Sequence, residues 1–246
     1  VLRDCLDSLA EQVVPDGVSI VHHIVDGGSS DGTLEILKVW ARDRPNRTFR
    51  SRPDDGFYEA VNSGIQETEG DIVGILNADD FYFDQQALAR VACAFEDRSI
   101  SGTYGDLIYI QAGNDRNHYQ VKRYWKAGAY CRLAFRHGWM PPHPTVFVRR
   151  EVYARSGAFN KNFGSAADYE WMLRAIFKAR LPMVYIPRVL VAMREGGMSN
   201  HSVRARLLAN KNDRRAWSEN HIRPFPWTLL MKPLRKIPQW WQRPQK

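Results

Sequence analysis

The sequence predicts an α/β domain with a doubly wound, mostly parallel sheet, carrying a basic C-terminal extension. Three observations predict it. Between residues 18 and 95 short runs rich in Val and Ile alternate with stretches whose apolar residues recur at helical spacing. Acids gather where predicted strands stop, at "VDGGSSDGT" and "NADD"; in a parallel α/β sheet the carboxyl ends of strands share one edge, where ligands bind. Charge is unevenly divided: the 246 residues carry a net +8, yet residues 201–246 hold eleven Lys and Arg against two acids, leaving residues 1–200 at about −1.

The chain opens in a helix, because Leu2, Cys5, Leu6, Leu9 and Val13 fall on one helical face. "VSIVHHIVDGG" reads as a strand closing on turn residues, and "SSDGTLEILKVWARD" as a capped amphipathic helix. A short strand near Thr48–Ser51, a loop at Arg52–Gly56 and a helix over Tyr58–Gln66 follow. In "GDIVGILNADDFYF" the apolar Ile72, Val73, Ile75 and Leu76 form a strand that stops on two adjacent acids, Asp79 and Asp80. A helix near Gln85–Phe95 leads to strands in "SGTYGDLIYIQAG" and "HYQVKRYW". "HPTVFVRREVYARSG" is strand then helix, "DYEWMLRAIFKARL" a helix, and "PMVYIPRVLVAMR" a strand whose prolines predict an edge position. A helix from Ser202 to about Asn220 precedes "IRPFPWTLLMKPLRKIPQWWQRPQK", whose five prolines predict a segment outside the core.

Composition is ordinary, with 44% hydrophobic, 12% aromatic and 25% charged residues, which excludes disordered and fibrous classes. No apolar run reaches the ~20 residues that span a bilayer. Cys5, Cys93 and Cys131 are far apart and odd in number, so neither a disulfide framework nor a zinc pattern is expected, and a cytoplasmic location fits. No nucleic-acid-binding motif accompanies the basic tail.

Adjacent carboxylates repel unless a cation holds them, and oxygen ligands on a loop suit Mg²⁺ or Mn²⁺ bridging to a substrate diphosphate. Asp79 and Asp80 are therefore candidate metal ligands. The bland alternative is that Asp ends strands and caps helices well.

"VDGGSSDGT", "DDGFYEAVNSGIQETEGDIVGILNADD" and "HPTVFVRREVYARSGAFNKNFGSAADYEWMLRA" follow in an order and spacing that resemble the family 2 glycosyltransferases, inverting sugar transferases of the GT-A fold. The resemblance covers roughly residues 1–200 and implies a catalytic domain there, with residues 201–246 as a separate helix and tail. It implies a nucleotide-sugar donor bound by Asp26, Gly27, Ser29, Asp54, Asn62, Asn77 and Asp79, and a metal, Mn²⁺ or Mg²⁺, at Asp79 and Asp80. Asp168 matches the catalytic base that takes the acceptor proton. His143 is expected beside the acceptor or the donor phosphate, Glu170 and Trp171 near the acceptor, and Arg194 or His201 in a loop over the diphosphate.

The sequence departs from the family at Gly27, Asn77 and Ala167, where acids are common. The family's first strand is also expected to be missing before Val1, leaving a slot in the sheet. The implied activity is transfer to a hydroxyl of a glycan or lipid-linked acceptor in cell-envelope or exopolysaccharide synthesis. Alternatives are a noncatalytic nucleotide- or glycan-binding relative and a sugar-phosphate nucleotidyltransferase. Trp227, Trp240 and Trp241 interleaved with Lys232, Arg235, Lys236, Arg243 and Lys246 suggest peripheral membrane contact through residues 222–246, at the inner face of the membrane; a solvated basic tail is the alternative.

Overall fold

The computed structural model describes residues 1–111, 116–196 and 203–244. Helix α1 (Leu2–Ala10) is followed by a small parallel sheet of β1 (His22–Asp26) and β2 (Arg47–Ser51), joined by α2 (Thr33–Ala41). Helix α3 (Phe57–Glu67) packs against β1. In this register Asp26 lies opposite Ser51, so the loops leaving both strands emerge side by side.

The larger sheet has six strands. Its path is β3 (Ile72–Gly74), β7 (Phe147–Arg149), β5 (Gly102–Ile110), β8 (Met183–Arg194) and β4 (Phe81–Tyr82), with β6 (Val121–Trp125) paired to β5. Helix α4 (Ala87–Ala94) packs on β8, and α5 (Arg150–Ser156) follows β7 directly. Strand β5 is the spine: Tyr104, Leu107, Ile108 and Ile110 are fully buried.

This sheet is mixed, which corrects the expectation of a mostly parallel one. Only β5 with β8 is parallel here; β3–β7, β4–β8, β5–β6 and β5–β7 are antiparallel. The strand–helix alternation that implies parallel crossovers lapses after α4. Strand β6 follows β5 with no helix among the described residues between them, and a parallel neighbour needs a crossover of a dozen or more residues.

Strand β8 is not an edge strand either. It runs between β5 and β4, and the register jumps where Gly105 faces Ile186 while Asp106 faces Val189. Pro187 and Arg188 are thus looped out in a bulge, which lets an inner strand hold a residue with no backbone N–H. Gly105 permits the close approach, because a Cβ there would lie 2.7 Å from Leu190 Cδ1 and 2.9 Å from the Arg188 carbonyl.

Helix α6 (Ala167–Met172) continues through a π-turn over Leu173–Lys178, and both are buried among Phe135, Phe163, Phe177 and Trp217. Trp217 belongs to α7 (Val203–Glu219) and donates its indole N–H to Tyr169 Oη at 2.9 Å.

The proline-rich segment expected outside the core also docks. Helix α8 (Thr228–Leu234) lies on the 3₁₀ helix Arg132–His137. Thr228 donates to the Arg136 carbonyl at 2.6 Å, Arg235 to the His137 carbonyl at 2.8 Å, and Lys232 pairs with Asp213 at 2.7 Å while lying 3.6 Å over the Tyr169 ring. Prolines break the segment into short helices without preventing burial of Leu229 and Ile222 against the core.

Candidate functional site

The loop after β1 is organised by one carboxylate. Asp26 Oδ2 accepts the backbone N–H of Gly28 (3.2 Å) and Ser29 (3.0 Å) and the hydroxyl of Ser51 (2.6 Å), while Oδ1 accepts the Ser29 hydroxyl at 2.5 Å. Burial works to raise this carboxyl, but the hydrogen bonds from Ser29, Ser51 and Gly28 together outweigh it and hold the group below its ordinary range. Asp26 is therefore the brace of the loop.

The loop after β2 closes against it. A Cβ on Gly27 would sit 3.1 Å from Asp54 Oδ2, and one on Gly28, whose φ is +87°, would sit 3.2 Å from the Pro53 nitrogen. Asp54 Oδ1 also accepts the Gly56 N–H at 2.9 Å. Glycine at position 27 thus lets two acidic loops meet, where an acid would oppose Asp54.

Asp79 and Asp80 separate. They sit in a tight turn closed by the Asp80 N–H on the Asn77 carbonyl at 3.1 Å, and Asp80 is wholly buried while Asp79 is half-buried. Asp80 accepts the Asn77 side-chain N–H at 2.7 Å and the Arg194 backbone N–H at 3.2 Å. Burial first, then the charge of Asp79, pushes Asp80 up to about 7. Asp80, expected as a metal ligand, thus has its oxygens turned into the fold, each accepting a hydrogen bond. Asn77 is the other half of this clasp, and the aromatics that follow, Phe81 and Tyr82, are β4 itself.

The Asp79 carboxylate accepts no hydrogen bond from the described residues. Its backbone carbonyl accepts the Arg194 guanidinium at 2.5 Å, and the same guanidinium pairs with Asp4. Arg194 is buried and props up this turn, a different task from the diphosphate contact expected of it. His201 lies outside the described residues.

Asp168 is not the cap of its helix. Helix α6 begins at Ala167 with Ala166 as its cap, so Asp168 sits in the first turn, half-buried, with Oδ1 accepting the Tyr169 N–H at 2.7 Å.

Groups from four other elements lie within electrostatic reach of it. Burial, then the charge of Asp168, raises the Tyr58 hydroxyl on α3. Burial lowers His143, with Asp168 opposing. Burial raises the Tyr109 hydroxyl on β5; Arg123 opposes this, and both Asp80 and Asp168 add to it. Tyr109 therefore lies within electrostatic reach of the Asp79–Asp80 turn and of Asp168. Lys236 in the docked tail also feels Asp168.

An aromatic hinge ties Asp168 to the first two loops. The Asn62 amide donates to the Phe159 carbonyl and accepts its N–H, both at 2.9 Å. The Phe159 ring contacts Tyr58 at 5.4 Å, His143 at 5.4 Å and Trp171 at 5.3 Å. Asn62 is thus a clamp between α3 and the loop before Lys161, with both amide functions engaged.

Trp171 and Glu170, expected near the acceptor, are packed in the core. Trp171 is 1% exposed, stacked on Tyr153, and Glu170 is buried against Arg174 (2.8 Å) and Asn220 (3.2 Å). Both neighbour Asp168 in sequence, but the helix turns them into the core. Tyr58, Tyr109 and Arg123 were not among the site residues expected from the sequence, and Lys236 was expected only as a membrane-facing cation of the tail. For Tyr58 the signal was available: it lies one turn before Asn62 on the same helix face.

Among the described residues no three His, Cys, Asp or Glu side chains gather to hold a metal ion. The family profile "Glycosyl transferase family 2" matches residues 1–160. A "PGL/p-HBAD biosynthesis glycosyltransferase" of Mycobacterium tuberculosis (strain ATCC 25177 / H37Ra) is 33% identical over 205 residues, covering 81% of this chain and 74% of that protein. The "O-antigen biosynthesis protein RfbC" of Myxococcus xanthus is 29% identical over 226 residues, 90% of this chain and 17% of its own.

Solved structures share the fold at lower identity. S. aureus TarS 1-349 in complex with UDP-GlcNAc aligns with a TM-score of 0.63 at 16% identity, covering 95% of this chain and 68% of that one. Mannosyltransferase PcManGT from Pyrobaculum calidifontis, in complex with GDP-Man and Mn²⁺, aligns with a TM-score of 0.59 at 18% identity, covering 95% and 69%. Against the longer TarS chain, this one spans 37%.

Proposed function

Because the chain belongs to glycosyl transferase family 2, we propose that it moves a sugar, with inversion, from a nucleotide-diphosphate donor to a hydroxyl of a glycan or lipid-linked acceptor in cell-envelope or exopolysaccharide synthesis. The observation that carries this reading is convergence: Tyr58 on α3, Tyr109 on β5, His143 in its 3₁₀ helix and Lys236 in the C-terminal segment all lie within electrostatic reach of Asp168. A base so surrounded suits a single displacement, in which one carboxylate removes the acceptor proton as its oxygen attacks.

The donor's base and ribose fit between the braced loop at Asp26–Ser29 and the loop at Asp54. Asp79 directs its carboxylate to the diphosphate, and Asn77, Asp80 and Arg194 hold that turn in place. Asn62 acts through its clamp on Phe159, keeping the donor loops in register with Asp168. His143, its neutral form favoured by burial, lines the acceptor side.

Asp79 is the residue that would hold Mn²⁺ or Mg²⁺. A single free carboxylate suits an ion that completes its shell with substrate phosphates and water, and disfavours a resident all-protein site. Such an ion supplies charge compensation on the departing diphosphate.

Peripheral membrane contact fits the docked tail. Leu230 (69% exposed), Leu234, Ile237 and Trp241 (73%) leave apolar surface bare beside Arg235 and Arg243, the composition of an interfacial segment facing anionic lipid. No helix among the described residues is long and apolar enough to cross a membrane. Lipid contact at the cytoplasmic face would hold Asp168 near a lipid-linked hydroxyl.

Calorimetry with UDP-, GDP- and dTDP-sugars, with and without Mn²⁺, followed by product analysis, tests the whole reading. Donor binding strengthened by Mn²⁺ and a product of inverted anomeric configuration are expected. Metal-insensitive binding without turnover would favour a noncatalytic relative, for which Asn77 and Gly27 are the best support.

A further inference from the structure

The end of α7 forms a cleft that the transfer reaction as described leaves unused. It encloses about 510 Å³, within the roughly 300–1,000 Å³ of small-molecule sites. Arg214, His221 and Arg223, all exposed, line it, and no acid does. Trp217, Ile222 and Pro224 supply an apolar wall. None of these residues is assigned to donor, metal or acceptor.

The wall is anchored. The Trp217 indole N–H donates to Tyr169 Oη at 2.9 Å and the Asn220 amide to Glu170 Oε1 at 3.2 Å, which bolts the last turn of α7 to α6. The helix then closes on itself: His221 N–H donates to the Ser218 carbonyl at 2.9 Å and Ile222 N–H to the Trp217 carbonyl at 3.0 Å. His221 takes the left-handed position of this closure, at φ +56°, where glycine is usual and a Cβ is costly. Those two carbonyls therefore need no cation. Yet the Arg214 and Arg223 guanidinia and the His221 ring form no hydrogen bond or ion pair with a described residue, whereas Arg215, outside the cleft, pairs with Glu219. Two uncommitted guanidinia and an imidazole around one cavity, over an apolar wall, suit an anion with an apolar body.

We propose that this cleft binds an organic phosphate at a site separate from the transfer centre, with Arg214 and Arg223 holding the phosphate oxygens and Trp217, Ile222 and Pro224 the apolar body. A guanidinium presents paired N–H groups that match phosphate geometry, and two of them at one cavity favour a phosphate over a carboxylate, which has fewer oxygens and less charge. Residues 222–224 lead within a few positions to Trp227, 46% exposed, and to the bare apolar surface of α8. A phosphate borne by a lipid and one borne by a soluble molecule thus both have access. The site is independent of Asp168 as the base, so its failure leaves the transferase reading standing.

Calorimetry on the full chain with hexyl phosphate tests this. Saturable binding is expected, weakened about tenfold or more in Arg214→Gln and in Arg223→Gln, and unchanged in Arg215→Gln. Inorganic phosphate, lacking the apolar body, and hexanoate, lacking the charge, should each bind about tenfold more weakly or worse. Saturating UDP or GDP with Mn²⁺ should leave binding unaltered. Hydrogen exchange in the unaltered protein should show protection over residues 214–224 on binding, which locates the site even if a variant fails to fold. Dihexanoyl phosphatidylglycerol separates the sources: displacement of hexyl phosphate assigns the site to a lipid headgroup, and no displacement to a soluble organic phosphate. Absence of saturable binding, displacement by either nucleotide, or protection confined to other residues would overturn the proposal. So would indifference to both cleft substitutions, or equal affinity for hexanoate or inorganic phosphate.

Discussion

Gly138 decides whether the C-terminal segment stays docked. It ends the 3₁₀ helix Arg132–His137 with φ +76°, and a Cβ there would run into the backbone of α8, 2.7 Å from the Met231 carbonyl carbon and 2.9 Å from Lys232 Cα. Neither neighbour is the flexible end of a side chain, so α8 must move. Gly128 is a matched control, with the same φ of +76° and nothing within 4 Å of its would-be Cβ.

Left-handed strain costs each alanine variant about 1–2 kcal/mol. Gly138→Ala adds roughly 1–3 kcal/mol of overpacking. Against this stand the Thr228, Arg235 and Lys232 contacts, each contributing about 1 kcal/mol net. Penalty and docking energy are of the same order, so undocking becomes an accessible response.

Hydrogen exchange by mass spectrometry reads this directly. Gly138→Ala should lose protection across residues 228–240 while β5 keeps its own, and urea melts should show Gly128→Ala destabilised with its α8 protection intact. Equal protection of α8 in both variants would refute the docking energetics.

Asp168→Asn should lower transfer by about 10²–10⁴-fold, the usual worth of a positioned base, with donor affinity by calorimetry unchanged; a parallel loss of donor affinity would make the residue a scaffold element. Leu230→Ser with Trp241→Ser should reduce sedimentation with anionic vesicles while sparing transfer to a soluble acceptor. These substitutions are preferable to truncation at residue 222, which would also strip Tyr169 of its covering Lys232.

A further prediction concerns pH. His22 packs edge-on against Trp40 at 4.7 Å, and burial first, then Arg47, lowers it to about 4. A folded pKa below the unfolded ~6.5 stabilises the fold above that pH and is lost as pH falls from 6.5 toward 4, by at most about 3 kcal/mol. His22→Phe should remove the His22 share of the fall in urea midpoint between pH 7 and 4.5, a window in which His143 acts with the same sign and the raised Asp80 with the opposite one. An unchanged slope would remove His22 from the account.

The local pieces of the fold were legible because period and punctuation carry them. The helices at Leu2, Thr33 and Phe57 and the strands through Ile24 and Val73 stand where apolar spacing put them. Pairing was not legible, because it depends on contacts between distant segments. Nothing in "PMVYIPRVLVAMR" announces that a bulge at Pro187 and Arg188 would admit it to the sheet interior. In the site, adjacency misled: Asp79 with Asp80, and Asp168 with Glu170 and Trp171, were read as clusters, whereas the turn at Asn77–Asp80 and the helical turn of α6 send near neighbours to different sides. Arg123 was hidden for the converse reason: it meets Trp240, far along the chain, only when the tail folds back.

The two-stranded sheet of β1 and β2 bears on how ligands of this protein should be sought. A pair of strands has little stability of its own, and this one rests chiefly on α3 and the Phe159 clamp rather than on the six-stranded sheet. Local opening there needs less free energy than global unfolding, so occupancy of the loops at Asp26 and Asp54 suppresses that opening as well as global unfolding. A thermal-shift screen reads only the second, without locating it. Exchange rates at Ile24 and Val25 would register the first.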